Sequence, residues 1–137
     1  MAKVYTGKIA IPGERIGEFV AAMEAAEKAR EPFRQSLVAL NEEFHAHLVE
    51  RFSERTARKH SSIVELFIEF LCRQTDAGAI DEITRGMVNT HFRAWYKRKV
   101  WDSATPNDLR VALKKFFEFL ASEKGIEHPK ILQALRG

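Results

Sequence analysis

The clearest hydrophobic pattern of the chain lies between Thr105 and Gly125. Apolar residues recur there at spacings of three and four, which places them on one face of an α-helix: Leu109, Leu113, Phe116, Phe117 and Leu120. Thr105 is suited to cap the start of this helix, with Pro106 in its first position. Gly125 is suited to end it in a left-handed conformation. The stretch therefore predicts one complete amphipathic helix.

A second stretch, residues 56–71, follows a similar pattern. Aligning Thr56 with Thr105 places Phe67 on Phe116. The match is weak, but it indicates two similar helical units. Each would present a Phe-rich face that needs a partner.

Two helices are predicted before residue 51. The first runs from Glu14 to Arg30, and its apolar face holds Ile16, Phe19, Val20 and Met23. Pro32 is expected to interrupt it, because proline lacks the N–H group that continues a helix. The second runs from about Pro32 to Glu50, and its predicted buried side consists of Leu37, Leu40, Phe44 and Leu48.

Further helices are predicted in the rest of the chain. Ser53 is expected to cap one that reaches about Gln74. Asp81 or Thr84 starts the next, which ends near Lys99, and residues 129–135 form a short last helix. No strand alternation is sustained after residue 11. The predicted class is therefore all-α, with short connections.

The first residues differ from the rest of the chain. Residues 3–11 are rich in β-forming side chains and precede Pro12 and Gly13, which predicts a short strand or an extended arm. A lone strand has no partner in this sequence except a copy of itself in a dimer. Residues 1–35 are thus a candidate surface for forming a homodimer.

The net charge of +3 is distributed unevenly along the chain. Residues 1–50 carry a net charge of −2 and residues 51–137 one of +5. The stretch from Arg85 to Lys99 contains five basic residues and no acid, among them Arg93 and Lys97. This asymmetry indicates a polyanionic partner for the second part, or simply a solvated helical surface.

The sequence offers little for catalysis or metal binding. Glu42 and His45 have the spacing of half a di-iron motif, but the rest of that motif is missing. His45 and His47 point to different sides of a helix, so they cannot share a metal ion. No metal and no other cofactor is expected. Cys72, the only cysteine, follows an apolar run and is expected to be buried and inert. Without a signal peptide or a membrane-spanning run, the expected location is cytoplasmic and no membrane partner is expected.

Basic and amide side chains at helix starts are the remaining functional signal. The first turn of a helix can meet phosphates or enter a major groove, where Asn, Arg and Ser side chains can contact base edges. The candidate DNA-binding residues are Arg55, Thr56, Arg58, Lys59, Ser62, Arg93, Lys97, Asn107, Arg110, Lys114 and Lys115. The alternative is that these residues only solvate the helices.

Residues 40–128 resemble the N-terminal core-binding domain of tyrosine recombinases, the phage-integrase family with a SAM-like fold. The resemblance rests on degenerate helix patterns that occur in the family's order: Phe44 and Leu48, residues 53–56, residues 67–71, Ile83, Thr105, residues 116–120, residues 124–126 and Pro129. It implies a small orthogonal bundle of two crossed helical hairpins on one side of duplex DNA, with an extra arm and helix in residues 1–35 and the core-binding-like domain in residues 36–137. Two Thr-opened helices would approach the major groove, one with Arg55, Thr56, Lys59 and Ser62 and the other with Asn107, Arg110 and Lys114.

The chain also departs from that family's pattern. His60 stands where the family often has an aromatic residue, and Pro106 and Asp108 make the second groove helix less basic at its start. The only tyrosines are Tyr5 and Tyr96, and no His-x-x-Arg is present, so the family's catalytic domain is missing. We therefore expect a non-catalytic module that binds duplex DNA, either a fragment of a longer recombinase or a free-standing protein. The alternative is a helical protein–protein interaction module that does not bind DNA.

Overall fold

The computed structural model describes Val4, residues 13–100 and residues 104–136. Within these ranges the chain forms five α-helices: α1 (Ile16–Val49), α2 (Glu54–Gln74), α3 (Phe92–Lys99), α4 (Pro106–Lys124) and α5 (Pro129–Leu135). It also forms 3-10 turns at Gly13–Arg15 and Ile80–Glu82, and a π-helix at Met87–His91 that leads into α3. The predicted all-α class is confirmed.

The N-terminal arm is described at one residue. Val4 forms an isolated antiparallel bridge with Thr75 and packs against the core. The other residues of the predicted strand or arm, residues 3 and 5–11, lie outside the described residues. No self-pairing of this segment is therefore tested.

Helix α1 corrects the prediction of a break at Pro32. It is one continuous helix of 34 residues, about 51 Å long, with Pro32 in its interior. Pro32 and Lys28 are both exposed, so water can reach the Lys28 carbonyl group that proline leaves without a partner. Two contacts, one on either side of Pro32, hold the helix to α2: Arg30 donates to the Thr75 carbonyl oxygen, and Arg34 pairs with Glu69 at 2.9 Å. Tertiary contacts thus outweigh the local cost of proline.

Helices α1 and α2 form an antiparallel hairpin. Arg34 contacts Glu69 near one end, and the Asn41 side chain donates to the Ser61 carbonyl oxygen near the other. Leu37, Phe44 and Leu48 of α1 are buried as predicted, whereas Leu40 is half-buried. The first part of α1, residues 16–29, is exposed apart from the half-buried Phe19, so it extends past the packed part of the bundle.

Aromatic side chains join this hairpin to the rest of the bundle. Phe67 of α2 lies 5.1 Å from Phe92 of α3 and 6.4 Å from Phe117 of α4, measured between ring centroids. Phe44 of α1 lies 5.3 Å from Phe116 of α4. The predicted Phe-rich faces thus pack against each other in one core. Among the described residues, no helix combines the length and apolar character needed to span a membrane.

Helix α4 matches its prediction closely. The Thr105 side chain accepts from the Asp108 N–H at 3.1 Å, and the Asp108 carboxylate accepts from the Thr105 N–H at 2.8 Å. Gly125 ends the helix with a φ of +66°, in the left-handed region. The short α5 also has the predicted limits.

Replacing Thr105 by alanine is expected to lower the free energy of unfolding by about 1 kcal/mol, because the first turn of α4 loses an acceptor for one of its free N–H groups. Urea unfolding measures the change. Ser122→Ala removes a hydroxyl group from the exposed side of the same helix and should change stability by less than about 0.5 kcal/mol. Equal effects of the two substitutions would contradict a specific role of the cap.

The structure confirms the predicted cap of α2 and corrects the alignment of Thr56 with Thr105. Ser53, as expected, is the residue before the helix, and its side chain accepts from the Thr56 N–H at 3.2 Å. Thr56 is therefore inside the helix, whereas Thr105 lies before α4. The aligned pair Thr56 and Thr105 does not occupy equivalent positions, because the caps are offset by one turn. The Phe-rich ends of the two helices retain their correspondence.

Candidate nucleic-acid interface

The first turns of α2 and α4 lie next to each other. The Lys59 ammonium is 3.3 Å from a carboxylate oxygen of Asp108. Asp108 is also the residue that caps α4 together with Thr105. The Asp108 carboxylate accepts a hydrogen bond from the Thr105 backbone N–H. This bond, followed by the interaction with Lys59, holds the pKa of the Asp108 carboxyl below its ordinary value. The acid that makes α4 less basic than expected therefore joins the two helix starts.

Two adjoining grooves bring together six of the eleven predicted residues. The first has a volume of about 370 Å³, and its polar lining consists of Arg55, Arg58, Lys59, Ser62 and Tyr96. The second, of about 460 Å³, includes Arg93 and Lys97 in its lining. The two grooves share Tyr96 and Ala104. Basic side chains of α2 and α3 therefore line these two adjoining grooves, which together are called the double groove.

The cations of the double groove differ in how they are paired. Arg58 contacts Glu54 at 3.1 Å, and both side chains are largely exposed. Arg55 and Lys97 are exposed and have no ion-pair partner within the described part of the chain. The Nε atom of Arg93 is buried and has no hydrogen-bond partner there. Arg55 and Lys97 thus retain capacity for an anionic acceptor.

Asn107 and Arg110 lie at the start of α4 and bond to each other. One Arg110 amino group donates to the Asn107 side-chain oxygen at 2.8 Å. The other donates to the Leu135 carbonyl oxygen of α5, also at 2.8 Å. Arg110 is therefore half-buried and directed toward α5.

The other three predicted residues lie outside the double groove. The Lys115 ammonium is 4.7 Å from the ring centroid of Phe52, at the turn between α1 and α2. Lys114 is half-buried, and Thr56 accepts a hydrogen bond from the Ser53 hydroxyl at 3.0 Å. Contact of any of the eleven residues with DNA stays a prediction.

His60 lies in the second turn of α2, on the buried side of the helix. It is 8% exposed, and its Nδ1 atom has no hydrogen-bond partner among the described residues. Burial lowers the pKa of His60, the positive charges of Lys115 and Lys59 lower it further, and Asp108 opposes them. The expected core histidine is thus favoured in its neutral form.

The depressed pKa of His60 predicts that the fold loses stability on mild acidification. The unfolded chain, with a histidine pKa near 6.5, takes up a proton before the folded protein does. This contribution to stability is therefore complete above about pH 6.5 and declines below it. We expect His60→Phe to reduce the loss of urea stability between about pH 7.5 and 5.5, because phenylalanine cannot take up a proton. An unchanged pH dependence in that variant would assign the loss to other groups.

The remaining reactive side chains are isolated. Cys72 is buried as predicted, and burial raises the pKa of its thiol. His45 contacts the Ser61 hydroxyl group, while His47 contacts Arg51 on another side of α1. In the described ranges, no group of three potential metal ligands comes together.

Two groove residues, Tyr96 and Ala104, were not predicted to be part of the site. Tyr96 directly precedes Lys97, so its place in a basic stretch was a usable signal. Ala104 has no comparable signal, because an alanine becomes part of a groove only through the packing of α3 beside α4.

The profile of the family described as phage integrase, N-terminal SAM-like domain, matches residues 41–124, more than half of the chain. The matched range includes α2, α3 and α4 and therefore the double groove. The family belongs to DNA recombination and integration, and this domain of it is non-catalytic. No curated protein and no solved structure gives a significant match to the chain. The chain belongs to the phage integrase N-terminal SAM-like domain family.

Proposed function

We propose that this chain is a non-catalytic module that binds double-stranded DNA in the context of site-specific recombination. The observation that carries the proposal is the double groove, whose two adjoining parts are lined by five cations from α2 and α3. Phosphate contacts supply most of the affinity of such modules, and they need clustered Lys and Arg side chains.

The ion pairing of each side chain at the interface indicates which groups of DNA it can contact. Arg55 and Lys97 suit phosphate oxygens, because they are exposed at the groove and have no ion-pair partner among the described residues. Lys59 is also exposed there, but it must share its charge with Asp108. Ser62 has a hydroxyl group that can donate to or accept from a base edge. We therefore expect strong, salt-sensitive binding with modest sequence preference.

A fluorescence anisotropy titration of a random-sequence duplex tests the proposal. With six to ten phosphate contacts, affinity should fall by about a thousandfold or more between roughly 50 and 200 mM salt. The full chain is used, and a single-stranded oligonucleotide of the same sequence is the control. No binding of the duplex even at the lower salt concentration would reject the proposal.

A second candidate is a helical interaction module that forms a homodimer through residues 1–35. It is favoured by the apolar side chains on the free part of α1, where Ile16, Val20 and Met23 are 51%, 46% and 44% exposed. Replacing Val20 and Met23 by glutamate would then abolish self-association, which mass measurement in solution detects. If the wild-type chain is monomeric at all concentrations tested, this candidate is excluded.

The proposed boundary between the N-terminal arm and helix (residues 1–35) and the core-binding-like domain (residues 36–137) is not a suitable point for truncation. The boundary falls inside α1, and it separates Phe33 and Arg34 from the partners that they contact in the bundle. A fragment that starts at residue 30 would retain both side chains.

We also propose a cytoplasmic location, because duplex DNA is accessible to a protein in that compartment.

A further inference from the structure

The last turn of α5 is held by side chains from two other elements. Asn89 of the π-helix donates to the Ala134 carbonyl oxygen at 3.4 Å, and Arg110 of α4 donates to the Leu135 carbonyl oxygen at 2.8 Å. The last carbonyl groups of a helix have no partner within the helix. Because α5 has only seven residues, it depends on such external contacts and on its buried side chains, Ile131 and Leu135.

The stronger of these two contacts comes from a proposed DNA-binding residue. Arg110 is positively charged, and its hydrogen bond to Leu135 is shorter than that of Asn89 to Ala134. Its second amino group is bonded to Asn107, the other proposed base-contacting residue of α4. Both side chains therefore already have hydrogen-bond partners within the protein.

A guanidinium group that turns toward a base edge must leave the carbonyl group that it now contacts. The guanidinium fork is rigid and planar, so all of its donors move together when the side chain turns. A side chain that turns toward a base edge therefore gives up the Leu135 acceptor, and the contact with DNA and the contact with α5 are alternative positions of the same group.

We propose that Arg110 couples DNA contact to the order of α5, so that duplex binding loosens the last turn of this helix. The inference rests on the proposed function, because it needs a duplex at the start of α4. Coupling of this kind is reciprocal: whatever fixes α5 in its present position opposes the contact of Arg110 with DNA. The order of the last turn of α5 then depends on whether duplex DNA contacts Arg110.

Hydrogen–deuterium exchange of residues 129–136, read by NMR on the full chain, tests the coupling. A saturating random-sequence duplex should speed exchange of the last amide groups of α5 by about tenfold, the effect of losing one charged hydrogen bond. The amide groups in the middle of α2 serve as an internal reference. Binding of the duplex is verified in the same sample by anisotropy. If the duplex binds and exchange in α5 is unchanged or slower, the coupling is rejected.

Three variants separate the coupling from a purely structural role of Arg110. Arg110→Lys keeps the charge but lacks the planar fork that spans the Asn107 and Leu135 acceptors, so α5 should exchange faster without DNA and show no further increase with it. Asn89→Ala should loosen α5 but keep its response to DNA. Lys28→Gln removes a positive charge from the exposed part of α1 and should leave exchange of α5 in the free protein unchanged.

The outcomes distinguish this inference from the proposed function. If no duplex binds while Arg110→Lys still loosens α5, the DNA-binding proposal fails and Arg110 acts only as a structural contact. If Arg110→Lys leaves α5 exchange as in the wild type, the contact does not hold the helix and the coupling is wrong.

Discussion

Replacing Phe67 by alanine is expected to lower the free energy of unfolding by about 3–5 kcal/mol, the largest effect predicted for a single side chain here. Phe67 is 1% exposed, and its ring contacts aromatic rings of both α3 and α4. Truncation would leave a cavity where these helices meet α2. Since small domains are stable by about 5–15 kcal/mol, the variant should retain only part of the wild-type stability.

Urea unfolding followed by circular dichroism measures this loss. Phe52→Ala is the matched control, because it removes the same side chain from a position that is 39% exposed. We expect it to cost much less, with part of the cost due to the lost contact with Lys115. A loss of less than about 1 kcal/mol for Phe67→Ala would contradict its central position.

The double substitution Arg55→Gln and Arg58→Gln is expected to weaken binding of a random duplex by tenfold or more at low salt. Each phosphate contact contributes about 0.9 to the slope of log affinity against log salt concentration, so loss of two contacts should reduce the slope by about 1.8. Removing Arg58 also leaves Glu54 without its counter-charge, which adds repulsion of the DNA. Anisotropy at several salt concentrations measures both quantities.

The control for this pair is Lys28→Gln with Arg73→Gln, which removes the same charge elsewhere. Arg73 lies near the far end of α2, about 27 Å along the helix axis from Arg55. If binding depends on the groove rather than on net charge, the control should retain most of the wild-type slope. Equal losses in the two double variants would indicate that only the total charge matters.

Most helix limits could be predicted because the local signals and the packing agree. Ser53 before α2, Thr105 before α4 and Gly125 after it are capping residues at the ends of apolar stripes, and all three act as predicted. The all-α class follows from the same patterns. The alignment of Thr56 with Thr105 did not pair equivalent positions, because Thr56 lies inside α2 and donates its N–H to the Ser53 cap.

The break expected at Pro32 illustrates what local rules leave out. Proline removes one backbone hydrogen bond, which is a local cost. The contacts that outweigh it, from Arg30 to Thr75 and from Arg34 to Glu69, join residues far apart in the sequence. Such pairs become visible only when the hairpin of α1 and α2 is known. The π-helix at Met87–His91 was also missed, because no residue type signals a π-helix in the sequence.

The candidate site was predictable in composition but not in arrangement. The charge asymmetry identified the basic residues of α2 and α3, and helix periodicity identified those of α4. Only the packing of the helices places Arg93 and Lys97 beside the α2 groove and turns Arg110 toward α5. Grooves are formed between elements, whereas a sequence pattern describes one element at a time.

The uninterrupted course of α1 has a mechanical consequence. Its free part, residues 16–29, projects about 21 Å along the helix axis from the packed half. A helix of this length is stiff, so a rotation of the bundle is carried to Ile16 as a larger displacement. The exposed end of α1 thus amplifies small rotations of the bundle. A spectroscopic label at Gly17 would move further than one in the packed half when the bundle tilts on a bound partner.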